Sequence, residues 1–380
     1  MRWTRACVLI DAGPITPLIR SSRMEHIIVY KDEGAYSCFP GLVRRRNGEL
    51  WLVFRHAGAF SVQAVRMGKY DHVDKGARIA YSRSADDGRT WTPITILPPS
   101  DPECGEQDCS ITELHDGTLL INFFRWRVVP EQEKHRLPFP AYHLYDGSWA
   151  DVEGPWVIRS RDDGRSWEPP LRVDSSPLPR AGTADAVLEL PDGTLLMGIY
   201  GAHYPSRVCT SYVVRSTDGG RTWGNASLIA RDPEERISFE EPALALTPAG
   251  HLIAVLRAGE PRNYQYLYRA FSYDGGRTWT ELEPTPMWGH PAHVLPLADG
   301  RLLCTYGYRR PPFGVRACLS EDNGRTWDIE HEIILRDDGA SRDIGYPSSA
   351  QLPDGTILTA YYIHGEDLIR HIAVTRWVAP

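Results

Sequence analysis

Short apolar runs alternate with clusters of glycine, proline and aspartate along the whole chain. Six times, an apolar run, a turn and a second apolar run follow one another, and each turn ends in a glycine. These glycines are Gly48, Gly117, Gly193, Gly250, Gly300 and Gly355. Most of the turns read Asn-Gly or Asp-Gly, which is a strong signal for a tight β-hairpin. No segment keeps the spacing of an amphipathic helix, so the sequence predicts an all-β chain built from six hairpins.

A second repeat, Ser-x-Asp-x-Gly-x-Thr-Trp, occurs five times, with Ser166 replacing the threonine once. The copies begin at Ser84, Ser160, Ser216, Ser272 and Ser320. Each copy suits a turn between strands, because the aspartate can accept backbone N–H bonds, the glycine can take positive φ and the tryptophan can cover the hairpin. The same chemistry recurs in every copy, so we expect these residues to be structural.

Six hairpins at regular spacing predict a six-bladed β-propeller. The last repeat lacks the eight-residue pattern, but His371 to Trp377 can form its third strand. We expect its fourth strand to come from His26 to Lys31, which would close the ring by pairing the two ends of the chain. Residues 25–380 would then form a single domain, and residues 1–24 a disordered leader or a misassigned start without function.

Composition and charge narrow the class of function. The 380 residues are 42% hydrophobic and 24% charged, and the net charge of −7 is spread without a basic cluster, so nucleic acid is a poor partner. The seven cysteines have neither zinc-finger nor Cys-x-x-Cys spacing. We expect reduced thiols in a cytoplasmic protein, with no membrane span, no metal and no organic cofactor. The sequence leaves the oligomeric state open.

The six hairpin glycines also serve as a ruler that aligns the blades. Nine residues before the glycine stand Phe39, Asp108, Ala184, Glu241, Pro291 and Tyr346. Asp108, Glu241 and Tyr346 have side chains common in catalysis, and Gln107, Glu240, His290 and Asp185 lie one step away. Because these positions begin the first strand of each hairpin, they are expected to meet at one face of the ring.

The second strands bring basic residues to the same face. Seven residues after the glycine stand Arg55, Phe124, Tyr200, Arg257, Gly307 and Tyr362, followed in two blades by His56 and Arg125. Arg309, Arg310 and His203 lie nearby on the ruler, and His293 lies two steps beyond Pro291. Guanidinium groups bind carboxylates bidentately, and a carboxylate beside a phenol can activate it as a nucleophile. The set therefore suits an acidic sugar as substrate.

The eight-residue copies resemble the Asp-box, or BNR, repeats of the sialidase superfamily, and they span residues 84 to 327. The segment 239–244 resembles the family's activating-glutamate motif, which implies that Glu241 is the base. The segment 345–349 resembles the nucleophile motif, which implies that Tyr346 attacks the sugar. Arg257 and the pair Arg309–Arg310 match segments that carry two of the three carboxylate-binding arginines. Cys38 stands where the family has its first arginine.

The resemblance implies a sialidase-like exo-glycoside hydrolase that removes a terminal acidic or modified sugar. It leaves the general acid open among four residues, Asp71, Asp74, Asp108 and Asp185. Arg55, Arg125, Glu240, His56, His203 and His290 are expected to bind the substrate.

Two alternatives remain. The first is a uronate lyase, in which a histidine or tyrosine removes the C5 proton, and which Cys38 and the rim histidines favour. The second is a glycan-binding propeller without catalysis.

Overall fold

The structure, a computed structural model, describes residues 24–69, 72–138, 141–259 and 266–380. The strands form six sheets, one for each blade. Strand β1 (Glu25–Tyr30) comes first along the chain but belongs to the last blade. Blade 1 contains β2 to β5, which are Tyr36–Arg44, Leu50–Ala57, Arg78–Ser84 and Thr95–Ile96. Blade 2 contains β6 to β10, which are Cys104–Glu113, Leu119–Val129, Tyr142–His143, Trp149–Ser160 and Leu171–Arg172. Blade 3 contains β11 to β14, which are Leu188–Glu189, Leu195–Ala202, Cys209–Ser216 and Gly224–Ala230.

Blade 4 contains β15 to β18, which are Ser238–Leu246, Leu252–Gly259, Tyr266–Ser272 and Glu283–Trp288. Blade 5 contains β19 to β22, which are Ala292–Pro296, Leu302–Tyr308, Phe313–Ser320 and Ile333–Gly339. Blade 6 contains β23 to β25, which are Gly345–Gln351, Ile357–Ile363 and His371–Trp377, and is completed by β1. The six-bladed all-β fold predicted from the repeats is confirmed.

The ring closes as the sequence predicted. Strand β1 pairs antiparallel with β25, so that Ile27 lies opposite Val374 and Glu25 opposite Arg376. The first and the last described strands therefore share one sheet, and neither leaves an unpaired edge toward the other. The predicted leader, residues 1–24, lies outside the described residues except for Met24.

The hydrophobic core lies between neighbouring blades. One cluster joins blades 6 and 1 and includes Leu52, Leu358 and Val374, each fully buried. Another joins blades 4 and 5 and includes Val255, Leu267 and Leu302. Strands in such sheets are covered on both faces by the adjacent blades, so their apolar residues run almost without interruption rather than alternating with polar ones.

The serine and aspartate of the five repeated turns make the same hydrogen bonds in every copy, on the end of the ring that also carries the hairpin glycines. In the first copy, Ser84 Oγ donates to Asp86 Oδ1 at 2.8 Å, and the backbone N–H of Thr90 donates to the same carboxylate at 2.9 Å. Gly88 has φ of 78°, and Trp91 Nε1 donates to its carbonyl at 3.1 Å, a bond that the copies ending in Trp223 and Trp279 also make. The aspartate thus satisfies the backbone donors of the turn, which is a structural role.

Three short helical segments lie within the described part of the all-β fold. Helix α1 (Ala59–Arg66) lies between β3 and β4, and 3-10 helices occupy Glu131–Arg136 and Ile329–His331. Two turns of helix are too short to give a periodic signal in the sequence. Within the described ranges, no helix has the length and apolar character needed to cross a membrane.

Helix α1 and the insertion in blade 2 build a wall on the site side of the ring. Phe60 packs beside Val73, Val128 and Leu144, and Tyr145 Oη donates to the carbonyl of Phe60 at 2.9 Å. Each segment follows the second strand of its blade, at the end of the ring where the first strands begin. Both therefore border the face on which the aligned site residues lie.

Candidate active site

Four first strands aim a side chain into the centre of the ring by the same backbone device. Phe39, Asp108, Glu241 and Tyr346 have φ of 55°, 48°, 49° and 50°. At each of them the pairing with the second strand is interrupted by a register shift. Such a bulge redirects one side chain, and non-glycine residues adopt positive φ only when the surroundings hold them there. Each of these residues stands nine positions before the hairpin glycine of its blade.

A chain of hydrogen bonds joins blades 6 and 4 at the centre. Tyr346 Oη donates to Glu241 Oε1 in a short hydrogen bond. Arg257 Nη1 donates to Glu241 Oε2 at 3.1 Å, so the carboxylate accepts from both sides. Glu241 is only 3% exposed, and a buried carboxylate held this way is oriented toward the phenol it can deprotonate.

Arg257 is shared between two carboxylates, because its Nε also lies 3.4 Å from Glu240 Oε2. Its positive charge is therefore largely used within the protein. Burial and the charge of Glu241 raise the pKa of Tyr346 well above its usual value. The phenol stays protonated in the free protein, and its proton must be removed as it reacts.

Asp108 is a buried carboxyl group beside this pair. It is 2% exposed, and burial together with the charge of Glu241 raises its pKa well above the ordinary value. Among the described residues, its Oδ1 and the neighbouring Gln107 Oε1 have no hydrogen-bond partner. A carboxyl group whose pKa is raised, with an oxygen left free, is suited to donate its proton to a ligand.

Arg309 and Arg310 follow each other in the chain, but their guanidinium groups contact different side chains. The Arg309 guanidinium lies 5.4 Å from the ring centre of Tyr346, and its buried Nε and Nη2 have no partner in the described part of the chain. Arg310 instead lies over Trp288 at 4.4 Å. Of these two arginines, Arg309 is the one that presents unpartnered donors beside Tyr346.

His290 adds a buried imidazole to the same group. It is 1% exposed, and both ring nitrogens lack a partner among the described residues. Burial, with the charges of Arg257 and Arg309 adding to it, lowers its pKa well below the usual value. The ring is therefore neutral at physiological pH and can both donate and accept a hydrogen bond.

Cys38 of the first blade places a buried thiol against Arg55. Arg55 Nη1 lies 3.5 Å from Cys38 Sγ, and Arg55 Nη2 donates to the carbonyl of His72 at 2.7 Å. Asp74 accepts from Ser61 Oγ at 2.8 Å and from the Gly76 N–H at 2.7 Å, so its oxygens are used to hold the wall. Asp71, another general-acid candidate, lies outside the described residues.

Asp185 lies deeper in the axial channel than the other candidates. It lines a cavity with Glu241 and Tyr346, and its Oδ1 lies 3.1 Å from His293 Nδ1. Burial disfavours charge on His293, but the charge and hydrogen bond of Asp185 outweigh it and raise the pKa of the imidazole. The pair joins blades 3 and 5 across the channel.

Three predicted binding residues are not brought to this cluster. His56 Nε2 lies 3.2 Å from the hydroxyl of Tyr30 in β1. Arg125 is bound to Glu153 at 2.7 Å and stacked on Trp156. His203 lies in a groove with Tyr204 at the outer edge of blade 3. The ruler placed these residues at the correct height on the ring but gave no information on their distance from its axis.

Sequence reasoning passed over two aromatic features of the site. The Phe39 ring lies 4.4 Å from that of Tyr346, although Phe39 stands on the ruler, because an apolar residue suggested no chemistry. Behind it, Asp343 accepts from Tyr36 and Tyr362 at 2.8 and 2.9 Å. Trp288 beside Arg310 was also missed, since it lies two residues before His290 and outside the aligned positions.

One group of three potential metal ligands exists in the described ranges, formed by Asp101, Cys104 and Glu153. It lies at the mouth end of blade 2, away from Tyr346. Arg127 donates to Glu153 and lies 3.2 Å from Asp101, so arginine charges already neutralise these carboxylates. The cluster is accounted for as an ion-pair network.

Comparison with known proteins agrees with this architecture. The family model described as "BNR repeat-like domain" matches residues 141–359. A sialidase from Bacteroides fragilis (strain YCH46) is 24% identical over 353 residues, which are 87% of this chain and 60% of that protein. The chain thus spans about 60% of the length of this relative.

Solved structures share the fold. A protein of unknown function from Dyadobacter fermentans DSM 18053 superposes with a TM-score of 0.83 and 31% identity, over 95% of this chain and 99% of the other. The Hadza microbial sialidase Hz136 superposes with a TM-score of 0.66 and 22% identity, over 90% of this chain and 66% of the other.

Proposed function

The chain belongs to the BNR repeat-like domain family and has a sialidase-like propeller fold, and from that premise we propose that it is a glycoside hydrolase. In this proposal it removes a terminal acidic sugar from a carbohydrate, with Tyr346 as nucleophile and Glu241 as its base. The relative from Bacteroides fragilis is a sialidase, which supports the reaction class.

One observation carries the proposal: the hydroxyl of Tyr346 donates to a carboxylate that is itself held by Arg257. A phenol and a glutamate have no need to meet in this way for stability alone, because burying them together is costly. A base positioned on the phenolic proton is the arrangement that nucleophilic catalysis requires.

In the first step, Tyr346 Oη forms a bond to the anomeric carbon while its proton passes to Glu241. The bond from that carbon to the leaving oxygen breaks, and the leaving oxygen takes a proton from Asp108. The raised pKa of Asp108 suits this role, because the carboxyl group must hold its proton until the bond breaks. A neutral phenol also avoids the repulsion that an anionic nucleophile would suffer from an acidic sugar.

In the second step, water attacks the anomeric carbon of the glycosyl-tyrosine. Asp108, now ionised, takes the proton of the water, and the bond from the carbon to Tyr346 Oη breaks. Glu241 returns its proton to the phenolate. The protein is restored, and the sugar leaves with retained configuration because two displacements have occurred.

Recognition of the acidic group is assigned to Arg309. Its two free buried donors form a fork for a carboxylate, whereas Arg257 is already paired with Glu240 and Glu241. Cys38 contributes no charge at the position of the first arginine. We therefore propose that one guanidinium, with His290 as an added hydrogen-bond donor, binds the carboxylate.

The test is a screen of purified protein against aryl glycosides of sialic acids, uronic acids and neutral sugars. We expect turnover of an acidic glycoside, reduced at least about 1000-fold in Tyr346→Phe because the nucleophile is lost. Tyr273→Phe is the matched control, since Tyr273 is 64% exposed at the other end of blade 4, and it should retain full activity.

Absence of turnover for every glycoside, with sugar binding unchanged in Tyr346→Phe, would instead support a glycan-binding propeller.

A uronate lyase is the second candidate, and His290 is the observation that favours it. A neutral buried imidazole with two unused nitrogens can remove the C5 proton while Arg309 stabilises the enolate that forms at the carboxylate. Uronate oligosaccharides distinguish the two reactions. Elimination gives an unsaturated product that absorbs in the near ultraviolet, whereas hydrolysis gives none.

We also propose a cytoplasmic location. The six cysteines that the structure describes are free thiols, and five of them are buried. Free thiols of this kind fit a reducing compartment. Localisation of the tagged protein in cell fractions tests this.

A further inference from the structure

Arg310 stands between two aromatic side chains at the outer edge of the site. Its guanidinium lies 4.4 Å from the ring centre of Trp288 and 5.1 Å from that of Tyr308. Its Nε donates to Tyr308 Oη at 2.7 Å. Trp288 and Tyr308 contact each other edge to face, with ring centres 5.6 Å apart. The guanidinium is thus fixed in one orientation by three contacts.

The positive charge of this group is held without being neutralised. Arg310 is exposed, and among the described residues no carboxylate lies within ion-pair distance of it, in contrast to Arg257 and Arg316. Contact with an aromatic face steadies a guanidinium but leaves the N–H groups at its edge free. Such a cation is prepared to bind a planar anion bidentately.

This group is connected directly to the proposed catalytic centre. Arg310 follows Arg309, whose guanidinium lies over Tyr346. Trp288 ends β18 at the mouth of the ring, and the chain passes from it through Gly289 to His290. The two arginines therefore lie on adjacent positions of one loop, one pointing to the nucleophile candidate and the other to the rim.

We propose that Trp288, Tyr308 and Arg310 form an outer subsite for a second carboxylated sugar, the one next to the sugar that is cleaved. This inference rests on the proposed function, and it specifies the substrate class as an oligosaccharide with at least two neighbouring acidic residues. The rings of Trp288 and Tyr308 supply apolar surface for the sugar, and Arg310 binds its carboxylate.

Binding is measured by calorimetry on the Tyr346→Phe protein, so that no probe is consumed. Trisialic acid is compared with 3′-sialyllactose, and trigalacturonate with galacturonate, because only the trimer of each pair carries a carboxylate on the second sugar. We expect at least one acidic trimer to bind about tenfold more tightly than its partner. Adding Arg310→Gln should remove that advantage, while adding Arg277→Gln, an exposed arginine at the other end of blade 4, should keep it.

The proposal is overturned if neither trimer has an advantage over its partner, or if the advantage survives Arg310→Gln. Trp288→Ala gives an independent check, since loss of the aromatic support should also reduce the advantage. Failure of the proposed hydrolysis has a different signature: wild-type protein would release no sugar from any acidic glycoside, whereas the preference for an acidic trimer and its dependence on Arg310 would remain.

Discussion

At the residue scale, the site depends on side chains in an unfavourable backbone conformation. Phe39, Asp108, Glu241 and Tyr346 all have positive φ, which costs on the order of 1–3 kcal/mol for each non-glycine residue. Three of the four, Asp108, Glu241 and Tyr346, transfer a proton or form a bond in the proposed mechanism. Their strain is consistent with selection for the direction of the side chain rather than for stability.

Asp108 gives a prediction about the leaving group. Replacement by Asn keeps the shape but removes the proton donor, so substrates with a poor leaving group should lose about 100-fold or more in rate. Aryl glycosides with acidic phenols need little protonation and should lose much less. The measurement is kcat/KM for a series of aryl glycosides of increasing phenol pKa, which should show a steeper dependence in Asp108→Asn.

The dependence of kcat/KM on pH is a second test of Asp108 as the general acid. Because the pKa of Asp108 is raised, wild-type kcat/KM should fall as the pH rises through that pKa and the acid ionises. This basic limb should disappear in Asp108→Asn. An equal loss for all leaving groups, with the limb unchanged, would remove Asp108 as the general acid.

At the scale of elements, blades 5 and 6 approach each other most closely where glycines replace side chains. Gly345 precedes Tyr346 and has φ of 109°, and a Cβ built on it would lie 2.9 Å from the Cα of Gly307. Backbone against backbone cannot yield as a side chain can. The absence of both side chains lets β23 bring Tyr346 toward the axis.

Gly345→Ala should therefore destabilise the protein more than an alanine substitution at a glycine that has positive φ but no neighbouring atom close to the added Cβ. Gly355→Ala is the matched control in the same blade, because φ is 88° there and nothing lies within 4 Å of the added Cβ. We expect Gly355→Ala to cost about 1 kcal/mol of unfolding free energy and Gly345→Ala at least about 2 kcal/mol more. Urea unfolding measures both, and equal costs would contradict the close approach of the blades.

At the scale of the whole molecule, a contact between two non-adjacent blades supports the ring in addition to the pairing of β1 with β25. Blade 3 has a first strand of only two residues, Leu188–Glu189. Asp185, just before it, is bound to His293 of blade 5. Both side chains are largely buried, at 15% and 12% exposed, so this pair ties the blade with the shortest first strand to blade 5, on the other side of blade 4.

The Asp185–His293 pair predicts a dependence of stability on pH, and the direction of the His293 pKa shift gives its sign. The pKa of His293 is raised in the folded protein, so the charged form favours folding. Its contribution is complete below the unfolded value of about 6.5 and is lost as the pH rises through the folded pKa. The stability gap between wild type and His293→Gln should therefore be larger at about pH 6 than at about pH 8.5.

Urea unfolding at the two pH values measures this gap. His331→Gln is a suitable control, since His331 pairs with Asp328 on the surface at 55% exposure and such pairs contribute little. A gap for His293→Gln that stays constant or widens with pH would contradict the role of the pair.

The sequence alone determined the number of blades, the closure of the ring and the height of the site. Hairpin glycines and Asp-box turns act within a few residues, so their pattern survives in one dimension, and the repeat multiplies it. The same ruler selected Asp108, Glu241 and Tyr346 because the bulge occupies the same position in each blade.

Only the tertiary structure decided which side chains meet. It separated Arg309 from Arg310, moved Asp185 down the channel and directed His56 and Arg125 to other partners. Spacing along a strand fixes height on the ring, but distance from the axis depends on the packing of adjacent blades. Helix α1 was missed because two turns held by contacts with blade 2 leave no periodic signal in the sequence.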